Sequence, residues 1–199
     1  ICYNCIMKRV LCVLILFVLF TGVAFCHDDE APADENELFP EQVIFRSAYG
    51  ATYTIHTGFT FLYPFIPETE EGRYIYWYNS KLCHQRHDRS FFIGDYPVAQ
   101  CARCTGINLG SVAGSATFFF REGRGELSGD KLIDSLISIG LHGLIMVPMA
   151  ADGLIQRHTD YESDNLKRVA TGLLFGYGQT IIADELAWMV SASIRSIFD

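Results

Sequence analysis

LIDSLISIGLHGLIMVPMAA, residues Leu132 to Ala151, contains twenty residues of which only Asp134 is charged. At the rise of an α-helix such a run covers about 30 Å, the hydrocarbon thickness of a bilayer. Three further stretches are similarly poor in charge. Ser47 to Ile66 (SAYGATYTIHTGFTFLYPFI) carries no ionisable side chain except His56 and the tyrosine phenols. Thr105 to Phe120 (TGINLGSVAGSATFFF) is shorter but extends back toward Pro97, a residue favoured in the first turn of a helix. Val169 to Val190 is apolar apart from Asp184 and Glu185 near its end. The pattern predicts an all-α, multi-pass helical membrane domain over residues 47–199, with about four transmembrane helices near 47–66, 98–120, 132–151 and 169–190 and a loop at 67–104.

Composition agrees, since 50% of the 199 residues are hydrophobic and only 19% are charged. Ahead of the spans, Met7-Lys8-Arg9 followed by VLCVLILFVLFTGVAF has the basic start and apolar centre of a signal peptide or anchor. Residues 1–26 therefore read as a few upstream residues plus this leader, and Cys2, Cys5, Cys12 and Cys26 fall away from any site. HDDEAPADENELFPEQ, from His27, holds seven acids and no Lys or Arg, so residues 27–46 read as an acidic extracytoplasmic linker. That linker explains most of the net charge of -8. No basic patch with interleaved aromatics is present, which argues against a nucleic-acid partner.

Cytoplasmic loops of membrane proteins are enriched in Lys and Arg, so their distribution orients the helices. If residues 47–66 cross, one side carries Arg73, Lys81, Arg86, Arg89, Arg103, Arg157, Lys167 and Arg168, and the other only Arg46, Arg121, Arg124, Lys131 and Arg195. The richer side is then cytoplasmic, and it contains Cys83, Cys101 and Cys104. In that reducing compartment stable disulfides are rare, which favours metal binding or transient redox chemistry.

The spacing of these residues points the same way. Cys101 and Cys104 sit at i and i+3 at the start of a helix, where free amide N–H groups favour a thiolate. Cys83-His84 lies far enough upstream for the intervening chain to fold back. Three thiolates and an imidazole would complete a tetrahedral zinc shell of Cys83, His84, Cys101 and Cys104. Adjacent ligands chelate one ion poorly, so His84 is alternatively an outer partner with His87 as the spare ligand. The same cysteines also suit a thiol–disulfide oxidoreductase, with Cys104 resolving a mixed disulfide at Cys101. A purely structural staple is the third possibility.

The core pattern CHQ, RSFF and CARCTGI from Cys83 to Ile107 resembles the small prokaryotic membrane proteins of domain of unknown function 2085. PMAADG (Pro148 to Gly153) and SDNLKRVATGLLFG (Ser163 to Gly176) match in the same order, and the resemblance runs from about Tyr63 to Gly178. It implies packed membrane helices and brings no activity. His87 stands where the family commonly has proline. The shared motifs single out Gln85, Arg86, Arg89, Ser90, Arg103, Thr105, Asp152, Asn165 and Arg168 as residues that support the site or bind an anion. Asp152 is positioned to pair with Arg103 or Arg168. Arg86, Arg89 and Arg168 are candidates to hold a phosphate or an anionic lipid headgroup, so an enzyme or binder acting on such a headgroup is an alternative function. Gly106, Gly110 and Gly114, with Gly172 and Gly176, repeat every four residues and predict close helix packing. His56, His142, Asp184 and Glu185 are left outside the site.

Overall fold

The computed structural model describes residues 40–62, 70–121 and 128–198. The expected leader, and the linker as far as residue 39, lie outside these residues, as do residues 63–66 of the first expected span. Among the described residues the chain forms five α-helices and one short hairpin: α1 (Pro40–Leu62), α2 (Glu70–Ser80), β1 (Ser90–Ile93), β2 (Tyr96–Cys101), α3 (Ala102–Thr117), α4 (Gly129–His158) and α5 (Asn165–Phe198).

Several boundaries differ from the sequence reading. Residues 40–46, assigned to the linker, belong to α1, where Pro40 opens the helix at a position whose N–H needs no partner. Residues 98–101, assigned to the second span, are β-strand, and α3 begins only at Ala102. Pro97 therefore sits in a strand and not in a helical first turn. Its carbonyl accepts a hydrogen bond from the Tyr76 hydroxyl, and it faces Phe92 across a two-stranded antiparallel ladder. Gly94, at φ +62°, begins the two-residue turn that pairs Ile93 with Tyr96. Of the four expected spans, α4 alone among the described helices is both long and apolar enough to cross a membrane. α3 has only 16 residues, α1 is diluted by Tyr, Thr and Gly, and α5 carries Lys167, Arg168, Asp184 and Glu185.

Caps fix the helix starts. The Ser128 hydroxyl accepts from the Lys131 N–H, and the Asp164 carboxylate accepts from the Lys167 N–H at 2.8 Å. Arg157 and His158 in the last turn of α4 oppose its dipole favourably.

The long helices alternate in direction. Arg46 meets Asp184 and His56 meets Gln100, so α1 runs antiparallel to α3 and α5. Ser135 bonds Glu185 while Arg103 bonds Asp152, which sets α4 antiparallel to both of its neighbours. One end of the bundle therefore gathers α2, the hairpin, the start of α3, the end of α4 and the start of α5. The other gathers the start of α1, Phe118–Arg121, the start of α4 and the last third of α5.

α3 and α5 touch backbone to backbone. A Cβ on Gly106 would overlap Val169, one on Gly110 would overlap Leu173, and Cβ atoms on Gly172 and Gly176 would overlap Arg103 and Ile107. A Cβ on Gly114 would lie 2.8 Å from that of Thr180. Polar Ser111, Ser135 and Thr180 are fully buried, as are Trp188, Ile181 and Ala187, whereas Leu136, Leu141, Leu144, Val147 and Leu154 of α4 are exposed. Polar side chains inside and leucines outside reverse the arrangement of a water-soluble bundle.

Candidate metal centre

α2 ends in a turn that reverses the chain. The carbonyl of Asn79 accepts the N–H groups of Leu82 (3.0 Å) and Cys83 (2.8 Å), drawing Cys83 back beneath the helix. The Asn79 side chain is fully buried and accepts from Gln100 Nε2 at 2.6 Å. Gln85 then takes a left-handed backbone at φ +47°, a conformation uncommon outside glycine. Its N–H points at Cys83 Sγ (3.4 Å), and its side-chain Nε2 donates to the carbonyls of Tyr76 and Ala99, both at 2.8 Å. One glutamine thus joins α2 to β2 across the Cys83 turn.

The hairpin delivers the second sulfur. Cys101 pairs with Ser90 at the base of the ladder and is also the residue that caps α3. Its N–H donates to Cys83 Sγ at 3.2 Å. Cys104 follows within the first turn of α3. All three sulfurs lie within 4.8 Å of one another, and none is in a disulfide. Sulfurs that share a tetrahedral zinc are about 3.8 Å apart, given Zn–S bonds of about 2.3 Å. The triad therefore needs a shift of only about 1 Å to close on an ion.

The sulfurs already influence one another. Hydrogen bonds from the Cys104 and Cys83 thiols hold the Cys101 sulfur well below the ordinary thiol range, and the bond to Cys101 pushes Cys83 up. An ion bound there would take over the role those protons play.

Of the four expected ligands, the fold brings together three. His84, next to Cys83, is exposed and is not one of the converging donors. His87 is exposed as well, with its ring against Phe92 at 5.0 Å.

The supporting residues divide into groups. Arg103 pairs with Asp152, whose carboxylate also accepts from Ser163 (3.2 Å) and Gln156 (3.3 Å). Arg168 is 5% exposed and donates to Asn165 Oδ1 at 3.0 Å. Asn165 Nδ2 donates to the Ser90 carbonyl at 3.3 Å, in the residue that faces Cys101. Arg86 is exposed and pairs with Asp88, and Arg89 pairs with Glu162 at 2.6 Å. Both arginines thus have carboxylate partners, and only Arg168 of the proposed anion trio is buried against a neutral one. Thr105 is buried, and its hydroxyl has no partner among the described residues.

Two polar clusters went unrecognised in the sequence. Gln100 Nε2 reaches His56 Nε2 at 2.8 Å, and Gln100 Oε1 accepts from Asn108 at 2.6 Å, so a buried amide chain runs from the residue beside Cys101 into the bundle. Uncharged polar residues inside apolar runs were its available signal. At the opposite end Arg46 binds both Asp184 oxygens, at 2.8 and 2.9 Å. Arg121 binds Glu185, which also accepts from Ser135. Asp184 and Glu185 are 2% and 1% exposed, so they are interior ion-pair partners. Their adjacency within an apolar run was the signal.

Two relatives of known sequence cover about half of the chain. An uncharacterized protein of Methanocaldococcus jannaschii is 36% identical over 98 residues, covering 49% of this chain and 58% of the relative. The chain therefore spans little more than half the length of that relative. An uncharacterized protein of Methanothermobacter thermautotrophicus is 29% identical over 109 residues, covering 55% of this chain and 90% of the relative. No solved structure matches. The family described as predicted membrane protein (DUF2085) matches residues 83–182, from the first cysteine of the triad through most of the α3–α5 interface, and the chain belongs to that family.

Proposed function

We propose that this chain is a multi-pass membrane protein in which Cys83, Cys101 and Cys104 bind one zinc ion at the cytoplasmic membrane face. The observation that carries the reading is the convergence of three reduced sulfurs from a turn, a strand end and a helix start within 4.8 Å. Thiolates select soft or borderline ions, and zinc is the common one that needs no redox partner. The ion would clamp α2, the hairpin and α3 together, in a structural or a catalytic role.

The membrane reading takes α1, α3, α4 and α5 as four crossings, with lipid as the solvent for their leucines. Their alternating directions, the exposed apolar face of α4 and the buried polar side chains support it. The Lys and Arg excess on the side of the triad favours a cytoplasmic location. The leader belongs to this reading as a signal peptide or anchor.

Metal analysis of the detergent-purified full chain tests the proposal. One zinc per chain is expected, and Cys101→Ser with Cys104→Ser should abolish it while the α-helical circular dichroism persists. Metal-free protein with a readily alkylated Cys101 would instead favour thiol–disulfide exchange, for which the half-buried Cys101 and Cys104 are placed. Arg168, buried without a carboxylate partner, is the residue that would serve an anionic headgroup. Its test is flotation with vesicles containing anionic lipid, where Arg168→Ala should reduce a lipid-specific gain in retention.

A further inference from the structure

The three sulfurs are closed on one side and open on the other. Cys83 is 5% exposed and receives two amide N–H groups, from Gln85 and Cys101. Cys101 and Cys104 are only half-buried. No fourth donor among the described residues joins them. The nearest candidate in sequence, His84, is exposed. It lies between Cys83 and Gln85, whose side chain holds the carbonyls of Tyr76 and Ala99, and its imidazole is not among the converging donors.

A structural zinc site is usually closed by four protein ligands, whereas three protein ligands leave a position that exchanges. Resting on the metal reading above, we infer that the ion at Cys83, Cys101 and Cys104 keeps one coordination position for a donor from outside the chain, a water that a small thiolate replaces. Two features beside the pair favour an anionic incoming donor. Among the described residues, Arg103, between Cys101 and Cys104 in the chain, has a buried Nε–H with no acceptor, and Thr105, just after Cys104, has a buried hydroxyl with no partner. The surrounding acids do not oppose it, because Asp88 and Glu162 are paired with Arg86 and Arg89 and Asp152 is paired with Arg103. Exchange is a simple substitution. The incoming sulfur forms the new bond to the ion, water leaves, the thiol proton passes to solvent, and no electron is transferred.

Cobalt(II) in place of zinc makes the coordination visible, since sulfur-to-cobalt charge-transfer absorption grows with the number of thiolates. The full chain is loaded in detergent, freed of excess ion and titrated with ethanethiol. The expected result is a saturable rise of about one third in charge-transfer intensity, from three sulfurs to four, with the cobalt retained on gel filtration. His84→Ala should give the same starting spectrum and the same titration. A spectrum indifferent to ethanethiol would overturn the open position and leave the metal reading standing. So would a starting spectrum altered by His84→Ala, which would make His84 the fourth ligand. Failure to bind cobalt, or binding that survives Cys101→Ser with Cys104→Ser, would remove both this inference and the metal reading.

Discussion

Gln85 joins two features that a metal turn requires. Its left-handed backbone aims an N–H at Cys83 Sγ, its side chain ties that turn to α2 and β2, and both effects hold Cys83 against Cys101. Groups that orient ligands without touching the ion typically change metal affinity by 10- to 100-fold. Gln85→Ala should therefore lower zinc affinity by roughly that factor, since it removes both carbonyl contacts while keeping the same strained positive φ. Gln85→Gly should fall less, because glycine accepts the positive φ. Competition with a chromophoric chelator measures both, and equal affinity for both variants and the parent would sink this role. The cysteines themselves were readable because their spacing is local and their chemistry is unambiguous. The outward position of His84 was not, since the side-chain direction of a residue next to a ligand is encoded by neither composition nor spacing.

At the scale of elements, α3 and α5 meet through glycines whose replacement meets backbone and not a yielding side chain. Overpacking of this kind destabilises by about 1–3 kcal/mol. Gly110→Ala and Gly176→Ala should each lower the detergent-state melting temperature. Gly140 provides the contrast, with nothing within 4 Å of its would-be Cβ. Gly140→Ala should leave melting unchanged or raise it, by up to about 1 kcal/mol of helix propensity. A parallel loss at all three positions would show that the interface is placed wrongly. The four-residue glycine spacing made this contact visible from the sequence, and the long apolar runs of α4 and α5 did the same for the helices. The hairpin was obscured because Pro97 suits a helical first turn as well as a strand. The better signal was Gly94-Asp95 between FFI and YPVA, two residues of turn type between β-prone runs. Helix α1 begins seven residues before the expected boundary, because an acidic segment that reads as linker also contains a proline suited to open a helix.

For the whole molecule, the chemistry is polarised between two ends. The cysteine triad, Asp152 and the Arg168–Asn165–Ser90 chain share one end, although they are far apart in sequence. The other end is closed by Arg46, Asp184, Arg121 and Glu185, drawn from α1, the end of the α3 region and α5. Removing one member of a buried ion pair leaves an uncompensated charge, at a typical loss of about 3–5 kcal/mol. Asp184→Asn should accordingly unfold at much milder heating than the parent, while retaining its zinc stoichiometry wherever it remains folded. Loss of zinc from folded Asp184→Asn protein would mean that the two ends are coupled. The proposed cytoplasmic placement of the triad, drawn from the Lys and Arg distribution, has its own test. On intact cells a membrane-impermeant maleimide should leave Cys83, Cys101 and Cys104 unmodified until the membrane is opened, and labelling from outside would invert the topology.

The central claim is that three sulfurs from a turn, a strand end and a helix start hold one ion. X-ray absorption at the zinc edge of the purified full chain addresses it most directly, because it counts the sulfurs around the metal. The account predicts three sulfurs at about 2.3 Å and one lighter atom. A shell of oxygen and nitrogen alone, or protein that carries no zinc after purification in zinc-containing medium, would contradict it.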